Sequence, residues 1–158
     1  MRILVLCVGK LKEDWQRAGC AEYLKRLSRF AAVEVREVSD QPEGAKPSEA
    51  TMRAAMEKEG EALLRQIRPK DRVVALAIQG EAFDSPAFAK RVGSWQTDGR
   101  RVVLVIGGSL GLSPAVLRRA DEKLSFSKLT FPHPLMRVIL LEQLYRAMKI
   151  LSGERYHK

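Results

Sequence analysis

The chain has 158 residues, enough for one domain to bury a hydrophobic core without disulfides or metals. Its 28 lysines and arginines outnumber 19 acidic residues, and the net charge of +9 favours a polyanionic partner such as nucleic acid. A basic protein without an anionic ligand is the alternative that charge leaves open. No apolar run is long enough to cross a bilayer, so we expect no membrane partner.

The two cysteines and the N-terminus indicate a cytoplasmic protein. Cys7 and Cys20 are too few for a disulfide framework and lack the spacing of a metal site. Both fall at apolar positions, which predicts reduced core residues. Residues 1–9 have the apolar character of a short signal peptide, but "KLKED" follows without a small-residue cleavage site. We therefore predict a first strand there.

Strand and helix patterns alternate through the first two thirds of the chain. Residues 2–9 form an apolar strand that Gly9 closes, and a helix follows with inward residues Cys20, Leu24, Leu27 and Phe30. "VEVREV" predicts an edge strand or a strand with one wet face. A helix then runs from about Glu49 to before Pro69, with inward residues Met52, Met56, Leu63 and Ile67.

The middle of the chain continues this alternation. Strand 72–78, the turn "QGE", helix 85–96 with Pro86 near its start and strand 101–106 follow in order. Strands that alternate with helices pair in parallel. The sequence therefore predicts an α/β fold, a mostly parallel sheet flanked by helices, with residues 1–158 as a single domain.

The last third departs from the alternation. A short helix at 114–123 precedes an extended stretch, "LSFSKLTFPHP", and a terminal helix follows from about Leu135 to Leu151. Pro132 and Pro134 bracket His133, and each proline disfavours helical backbone at the residue before it. We expect His133 outside the helix, with Pro134 in its first turn.

The terminal helix is apolar on two faces, although the core of a small domain needs only one. The second stripe suggests a partner helix from an identical subunit, and hence a homodimer. The alternative is a helix that its own domain covers completely. The stripes are Val138, Leu141, Leu144 and Met148, and Met136, Ile139 or Leu140, Ala147 and Ile150.

Three glycines in "IGGSLGLS" follow the apolar strand "RVVLVI". Gly107, Gly108 and Gly111 fit neither the G-x-G-x-x-G dinucleotide fingerprint nor the Lys-Ser/Thr phosphate loop. A tight turn alone explains one or two glycines, whereas three at the end of a parallel strand favour close approach of a flat ligand. The spacing by itself indicates a nucleotide-like ligand.

The segments "LCVGKLKEDW", "LAIQGE", "IGGSLGLS", "LSFSKLTFPHPLMRVILLEQLYRA" and "YHK" resemble the bacterial 23S rRNA pseudouridine N3-methyltransferases of type H, a SPOUT family. The resemblance covers essentially the whole chain. It implies a C-terminal deep trefoil knot, S-adenosyl-L-methionine as cofactor, no metal, and a homodimer. It also implies methylation of N3 of a pseudouridine in 23S rRNA within the assembled 70S ribosome.

The resemblance also implies site residues. The cofactor-binding set comprises Leu76, Gly107, Gly108, Ser127, Lys128, Leu129, Thr130, Phe131 and Pro132. The catalytic set comprises Arg146, Tyr156 and His157. Leu110 stands where some relatives carry a polar residue, which puts in doubt only a role for that side chain.

The catalytic roles have alternatives. Tyr156 and His157 would fold over the partner's cofactor pocket, or they would be an inert tail. Arg146 would hold rRNA phosphate or the imide anion, or pair with Glu142 one turn earlier for only ~0.2–0.5 kcal/mol. Arg137 has a weaker claim to the same roles, and His133 serves the cofactor loop or caps the last helix. A SPOUT-type tRNA methyltransferase and a non-catalytic ribosome-binding assembly factor are the alternative functions.

Overall fold

The computed structural model describes residues 1–42 and 44–156. Strands and helices alternate as the sequence predicts through the first two thirds, and β5 continues the alternation into the last third, where the sequence did not predict it. The elements are β1 (Arg2–Val8), α1 (Asp14–Leu27), β2 (Ala32–Val38), α2 (Glu49–Leu64), β3 (Arg72–Ala82), α3 (Ser85–Asp98), β4 (Val102–Ile106), α4 (Pro114–Arg119), β5 (Glu122–Ser125) and α5 (His133–Leu151).

The strands form one sheet in the order β2-β1-β4-β3-β5, and the pairs formed by the described residues are parallel. This confirms the predicted α/β fold. β2 lies at an edge, which explains its alternation of valines with charged residues: Val33 packs against the core while Glu34 is exposed. β1 and β4 lie inside the sheet and read as continuous apolar runs because both faces are covered.

Helices cover the two faces unequally. Side chains of α1, α3 and α5 share a core with Ile3, Val5 and Cys7 of β1. Side chains of α2 and α4 share a second core with the alternate β1 residues, Leu4 and Leu6. Cys7 and Cys20 are both buried and free, as predicted.

α5 lies between α1 and α3, which explains much of its apolar character. A Cβ on Gly19 of α1 would lie 3.2 Å from Val138, and one on Gly93 of α3 would lie 3.2 Å from Leu151. Leu140, Leu144 and other members of both stripes are buried within their own chain. Covering by the chain's own helices thus accounts for most of the second stripe, and the homodimer stays a prediction. A half-buried outer stripe is left on α5: Leu135, Ile139, Glu142 and Arg146.

Some local expectations were wrong. The α2 residues that are buried against the sheet are Ala55, Glu59, Gly60 and Leu63, whereas Met52 and Met56 are only half-buried. The close approach of α4 selects this face, because a Cβ on Gly60 would lie 2.1 Å from Ser113 Oγ. α2 ends at Leu64 and not just before Pro69, and Ile67 beyond it packs against the core as predicted. The helix predicted at 114–123 ends at Arg119, where extended backbone at Ala120 leads into β5.

His133 is the first residue of α5, contrary to the expectation that it lies outside the helix. A proline in the first turn removes no intrahelical hydrogen bond, so the helix can begin one residue before Pro134. His133 is thereby fixed to α5 and not to the extended stretch before it.

β3 is longer and less regular than predicted. Leu76 and Glu81 both pair with Leu124 of β5, so residues 77–80 bulge out of the sheet. A Cβ on Gly80 would lie 2.6 Å from the Leu124 backbone, so only glycine fits at this position. Among the helices of the described ranges, none is long and apolar enough to cross a membrane.

Candidate cofactor site

A cavity of about 420 Å³ lies at the carboxyl ends of β3, β4 and β5. Its volume falls in the range of small-molecule sites, and ligands of parallel α/β sheets bind at this edge. Three segments form its walls: the β3 bulge, the glycine turn at 106–112, and residues 124–131. His133 and Met136 of α5 close one side.

The segment between β5 and α5 crosses the carboxyl edge of the sheet. Ser125 ends β5 at one sheet edge, while His133 lies beside Gly9, which follows β1 on the other side of β3 and β4. The distance from His133 Nε2 to a Cβ built on Gly9 is 3.4 Å. Residues 126–132 therefore pass across the cavity edge. A trefoil knot requires such a crossing, and the knot itself stays a prediction.

The fold explains all three glycines of the turn. A Cβ on Gly107 would lie 2.7 Å from the Gly111 backbone, and one on Gly108 would lie 3.1 Å from Val8 and 3.2 Å from the Glu59 carboxylate. Gly111 has φ +83°, in the left-handed region that favours glycine. The missing side chains thus make room for the protein itself. Packing within the protein therefore explains these glycines without a ligand, although the residues of the turn line the cavity.

Most predicted cofactor residues line the cavity. They are Leu76, Gly107, Gly108, Ser127, Leu129, Thr130 and Phe131. Lys128 and Pro132 belong to the same segment but do not line it. Two apolar residues of the lining are exposed: 71% of Leu129 and 47% of Ile78.

Sequence reasoning missed several lining residues. Ile78 and Gln79 enter the site through the bulge, and Leu117 enters from α4. The glycine of "QGE" lies in the bulge, but Leu124, with which the flanking residues Leu76 and Glu81 pair, lies more than forty residues later in the chain. No sequence signal placed α4 at this edge.

His133 is the titratable residue of the described cavity lining. Burial lowers the pKa of His133 below its ordinary 6.5, and the nearby positive charges of Arg137 and Lys12 lower it further, against the opposing effect of Asp40. The imidazole is therefore neutral at neutral pH and can accept or donate a hydrogen bond toward the cavity.

Two of the predicted catalytic residues lie together on the outer side of α5. Arg146 Nη2 donates to Glu142 Oε1 at 2.6 Å, and Tyr156 Oη donates to the same oxygen at 3.2 Å. The Arg146 guanidinium lies 4.8 Å from the centre of the Tyr156 ring, and this ring packs edge-on against Tyr145. The predicted Glu142–Arg146 pair is thus present. His157 lies outside the described residues.

The electrostatics of this cluster limit what Tyr156 can do. Burial, a hydrogen bond with Tyr23 and the Glu142 carboxylate raise the pKa of Tyr156 to about 12. The phenol is protonated at neutral pH, so it acts as a hydrogen-bond donor and not as a base.

The cluster and the cavity are separate within one chain. Neither Arg146 nor Tyr156 lines the cavity. Met136 lies in the lining, and Arg146 follows ten positions later in α5, a rise of about 15 Å along the helix.

Arg137 is only 1% exposed and fastens α5 to the sheet. Its Nη1 donates to Glu37 at the end of β2, and its Nη2 donates to the Gly9 carbonyl oxygen at 2.9 Å. These contacts are structural, and they hold the start of α5 beside β1. Burial raises the pKa of the neighbouring Cys7 to about 12, so this thiol is unreactive.

Residues 1–42 and 44–156 contain no group of three or more His, Cys, Asp or Glu that could hold a metal ion. The cavity lining comprises the turn residues, apolar side chains and His133.

The chain combines a parallel sheet with a cavity at its carboxyl edge, and the segment that leads into the last helix lines that cavity. The family model described as "Predicted SPOUT methyltransferase" matches residues 1–157, and the chain belongs to the SPOUT methyltransferase family. It is 53% identical to the ribosomal RNA large subunit methyltransferase H of Bifidobacterium animalis subsp. lactis. The identity is 50% to that of Lacticaseibacillus casei and 48% to that of Bacillus pumilus. Each alignment covers 100% of both chains.

A solved structure shares the fold. The crystal structure of the A. aeolicus TrmH/SpoU tRNA modifying enzyme matches with a TM-score of 0.52, over 96% of this chain and 77% of that one. The sequence identity is 15%, so this likeness concerns the fold alone.

Proposed function

We propose that the protein transfers a methyl group from S-adenosyl-L-methionine to N3 of a pseudouridine in 23S rRNA, on the assembled 70S ribosome in the cytoplasm. The observation that carries the proposal is the 420 Å³ cavity at the carboxyl edge, in a chain that matches rRNA methyltransferases H along its whole length. The net charge of +9 suits an RNA substrate.

The cavity suits an adenosine-containing ligand. Ile78 and Leu129 offer two exposed apolar side chains for the faces of a base, and both lie in the lining. The glycine turn and residues 124–131 present backbone N–H and C=O groups, which can recognise the edge of a base and a ribose. When bound, the cofactor supplies an electrophilic methyl group on a sulfonium.

The protein's own part in the reaction is positioning. Transfer of this methyl group requires the acceptor nitrogen in line with the sulfur–carbon bond, and correct placement contributes up to roughly 7–11 kcal/mol in favourable systems. N3 of pseudouridine is a weakly acidic imide nitrogen, so its proton would pass to water as the nitrogen–carbon bond forms and the sulfur–carbon bond of the cofactor breaks. The Arg146 guanidinium would stabilise its anion, and the protonated Tyr156 would donate a hydrogen bond to a carbonyl beside it.

These groups reach the cofactor if two copies of the chain share each site. One copy contributes the cavity, and the other contributes Arg146, Tyr156 and His157. The separation of about 15 Å along α5 within one chain supports this arrangement. The half-buried stripe Leu135–Ile139–Glu142–Arg146 is the surface proposed for the contact between the copies.

Titration calorimetry with S-adenosyl-L-methionine, followed by transfer of labelled methyl groups, tests the function. We expect saturable binding and incorporation into 70S ribosomes, with none into bulk tRNA. Incorporation into tRNA would select the alternative of a tRNA methyltransferase. Ribosome binding without cofactor binding would select the assembly factor.

A further inference from the structure

Trp15 is an exposed aromatic residue on an otherwise well-anchored part of the structure. It is the second residue of α1 and is 56% exposed, whereas Trp95 is 1% exposed. Across residues 1–42 and 44–156, no ring contact or cation–π contact involves Trp15. An exposed ring on a rigid element can stack on a planar ligand, and its significance depends on the groups around it.

The loop that leads into α1 and Trp15 is held at both ends. Gly9 N donates to Val38 O at 2.8 Å, and Arg137 donates to the Gly9 carbonyl oxygen. Leu11 packs against the core, and Arg17 Nη1 donates to its carbonyl oxygen at 2.8 Å. The exposure of Trp15 is therefore not a consequence of a loose segment.

Two exposed lysines precede Trp15 in the chain, in the loop that leads into α1. Lys10 and Lys12 form no salt bridge with the part of the chain that the structure describes. Of the neighbouring acids, Asp14 pairs with Arg17 and Glu13 caps α1, while Asp40 lies beside Gly9. Two exposed lysines within five residues of one exposed ring match a nucleotide chain, whose phosphates need cations and whose bases need a flat surface.

The start of this loop borders the cofactor cavity. The loop begins at Gly9, which lies beside His133 of the cavity lining, and Lys12 is near enough to act electrostatically on that histidine. An acceptor base that enters the cavity must leave its stack, and its neighbours in the strand then need new partners.

We infer that Lys10, Lys12 and Trp15 form a platform for single-stranded rRNA next to the acceptor nucleotide, with Trp15 stacking on a flanking base and the lysines contacting phosphates. This inference rests on the proposed function and adds the residues that hold the substrate. None of the three belongs to the cofactor or catalytic sets above.

The first test uses the fluorescence of protein labelled with 5-hydroxytryptophan, which is excited at wavelengths where the tryptophans of ribosomal proteins do not absorb. Iodide quenches only exposed rings, so quenching reports on Trp15 and not on buried Trp95. Adding 70S ribosomes is expected to protect Trp15 from iodide. A ring that iodide does not reach in the free protein, or that ribosomes leave equally accessible, overturns the platform.

The second test separates ribosome binding from cofactor binding. Trp15→Ala is expected to weaken co-sedimentation with 70S ribosomes and to raise KM for ribosomes about ten-fold, as loss of one base stack predicts. The affinity for S-adenosyl-L-methionine and kcat at saturating ribosomes should stay parental, and Trp15→Phe should retain most of the binding. Lys10→Ala and Lys12→Ala should each reduce the slope of log affinity against log salt by about one.

Lys25→Ala, an exposed lysine at the other end of α1, is the matched control and should change neither quantity. A dimer that dissociates on Trp15→Ala would show that the ring is a subunit contact, and parental ribosome binding would show that it is inert. Both results overturn the inference. Co-sedimentation does not depend on activity, so a failure of the proposed methyl transfer remains distinguishable from a failure of the platform.

Discussion

The glycine turn shows, at the level of single residues, how backbone packing and ligand binding become coupled. Gly107 lies so close to Gly111 that any side chain must displace the turn, whereas Gly111 has open space and only its left-handed φ to satisfy. The two positions should therefore respond differently to the same substitution.

Gly107→Ala is expected to lower the cofactor affinity at least ten-fold, because the displaced backbone lines the cavity. Gly111→Ala should cost about 1–2 kcal/mol of unfolding free energy through strain and leave the turn nearly in place. Gly99→Ala is the matched control, since Gly99 has φ +73°, open space and a position remote from the cavity. Calorimetry and urea unfolding measure both quantities. Equal cofactor affinities for the two turn variants would contradict this explanation.

The His133 side chain links stability to pH. Its folded-state pKa lies below 6.5 because of burial and the charge of Arg137, so the unfolded chain binds this proton more readily. The resulting stability is complete above pH 6.5 and is lost as the pH falls through the folded value. His133→Asn should therefore flatten the decline of unfolding free energy below pH 6.5 in urea titrations. A decline as steep as that of the parent would exclude His133 as its source.

The sequence could locate these residues but not explain them. The strand end and the three glycines were readable from apolar runs and spacing. The reason for Gly108 lies in Val8 and Glu59, which reach it only through sheet pairing and the docking of α2. Likewise, the proline rule misplaced His133 because the helix begins one residue before Pro134.

Among the elements, α5 has the position on which the site depends most. It begins in the cavity lining, passes between α1 and α3, and carries the Glu142–Arg146 pair on its outer side. Hydrophobic periodicity predicted its length well. Periodicity could not tell a helix covered by two neighbours in its own chain from one covered by a second subunit, because both require two apolar faces.

The buried Arg137 is expected to fix α5 in this position. Arg137→Met removes the partner of Glu37 and of the Gly9 carbonyl group, and the expected loss is about 3 kcal/mol of unfolding free energy. The Arg137→Met/Glu37→Gln double variant should recover part of the loss because it also removes the unpaired carboxylate. Urea unfolding at neutral pH measures both values. A single variant as stable as the parent would show that apolar packing alone holds α5.

For the whole molecule, the outer stripe of α5 tests the proposed assembly. The aliphatic side chain of Ile139 belongs to this stripe and is half-buried. Ile139→Lys should convert a dimer at micromolar concentration into a folded monomer, as measured by sedimentation velocity and circular dichroism. Ala54→Lys, exposed on α2 across the sheet, is the control and should remain dimeric. A monomeric parent protein would refute the homodimer.

Mixed dimers decide whether each active site draws on two chains. Removing residues 155–158 deletes Tyr156, which is bonded to Glu142, and leaves the cavity residues in place. Cofactor binding should persist, while methylation should fall at least ten-fold, a loss of about 1.4 kcal/mol or more of transition-state stabilisation.

Gly107→Ala should be defective for the opposite reason, with an intact C-terminus and a distorted cavity. Mixing the two variants then forms dimers in which one site combines the intact cavity of the truncated chain with the C-terminal residues of its partner. We expect methyl transfer to ribosomes to recover in the mixture but in neither variant alone. If the mixture stays as inactive as its components while mixed dimers are demonstrably formed, each chain uses its own C-terminus, and the shared site is wrong.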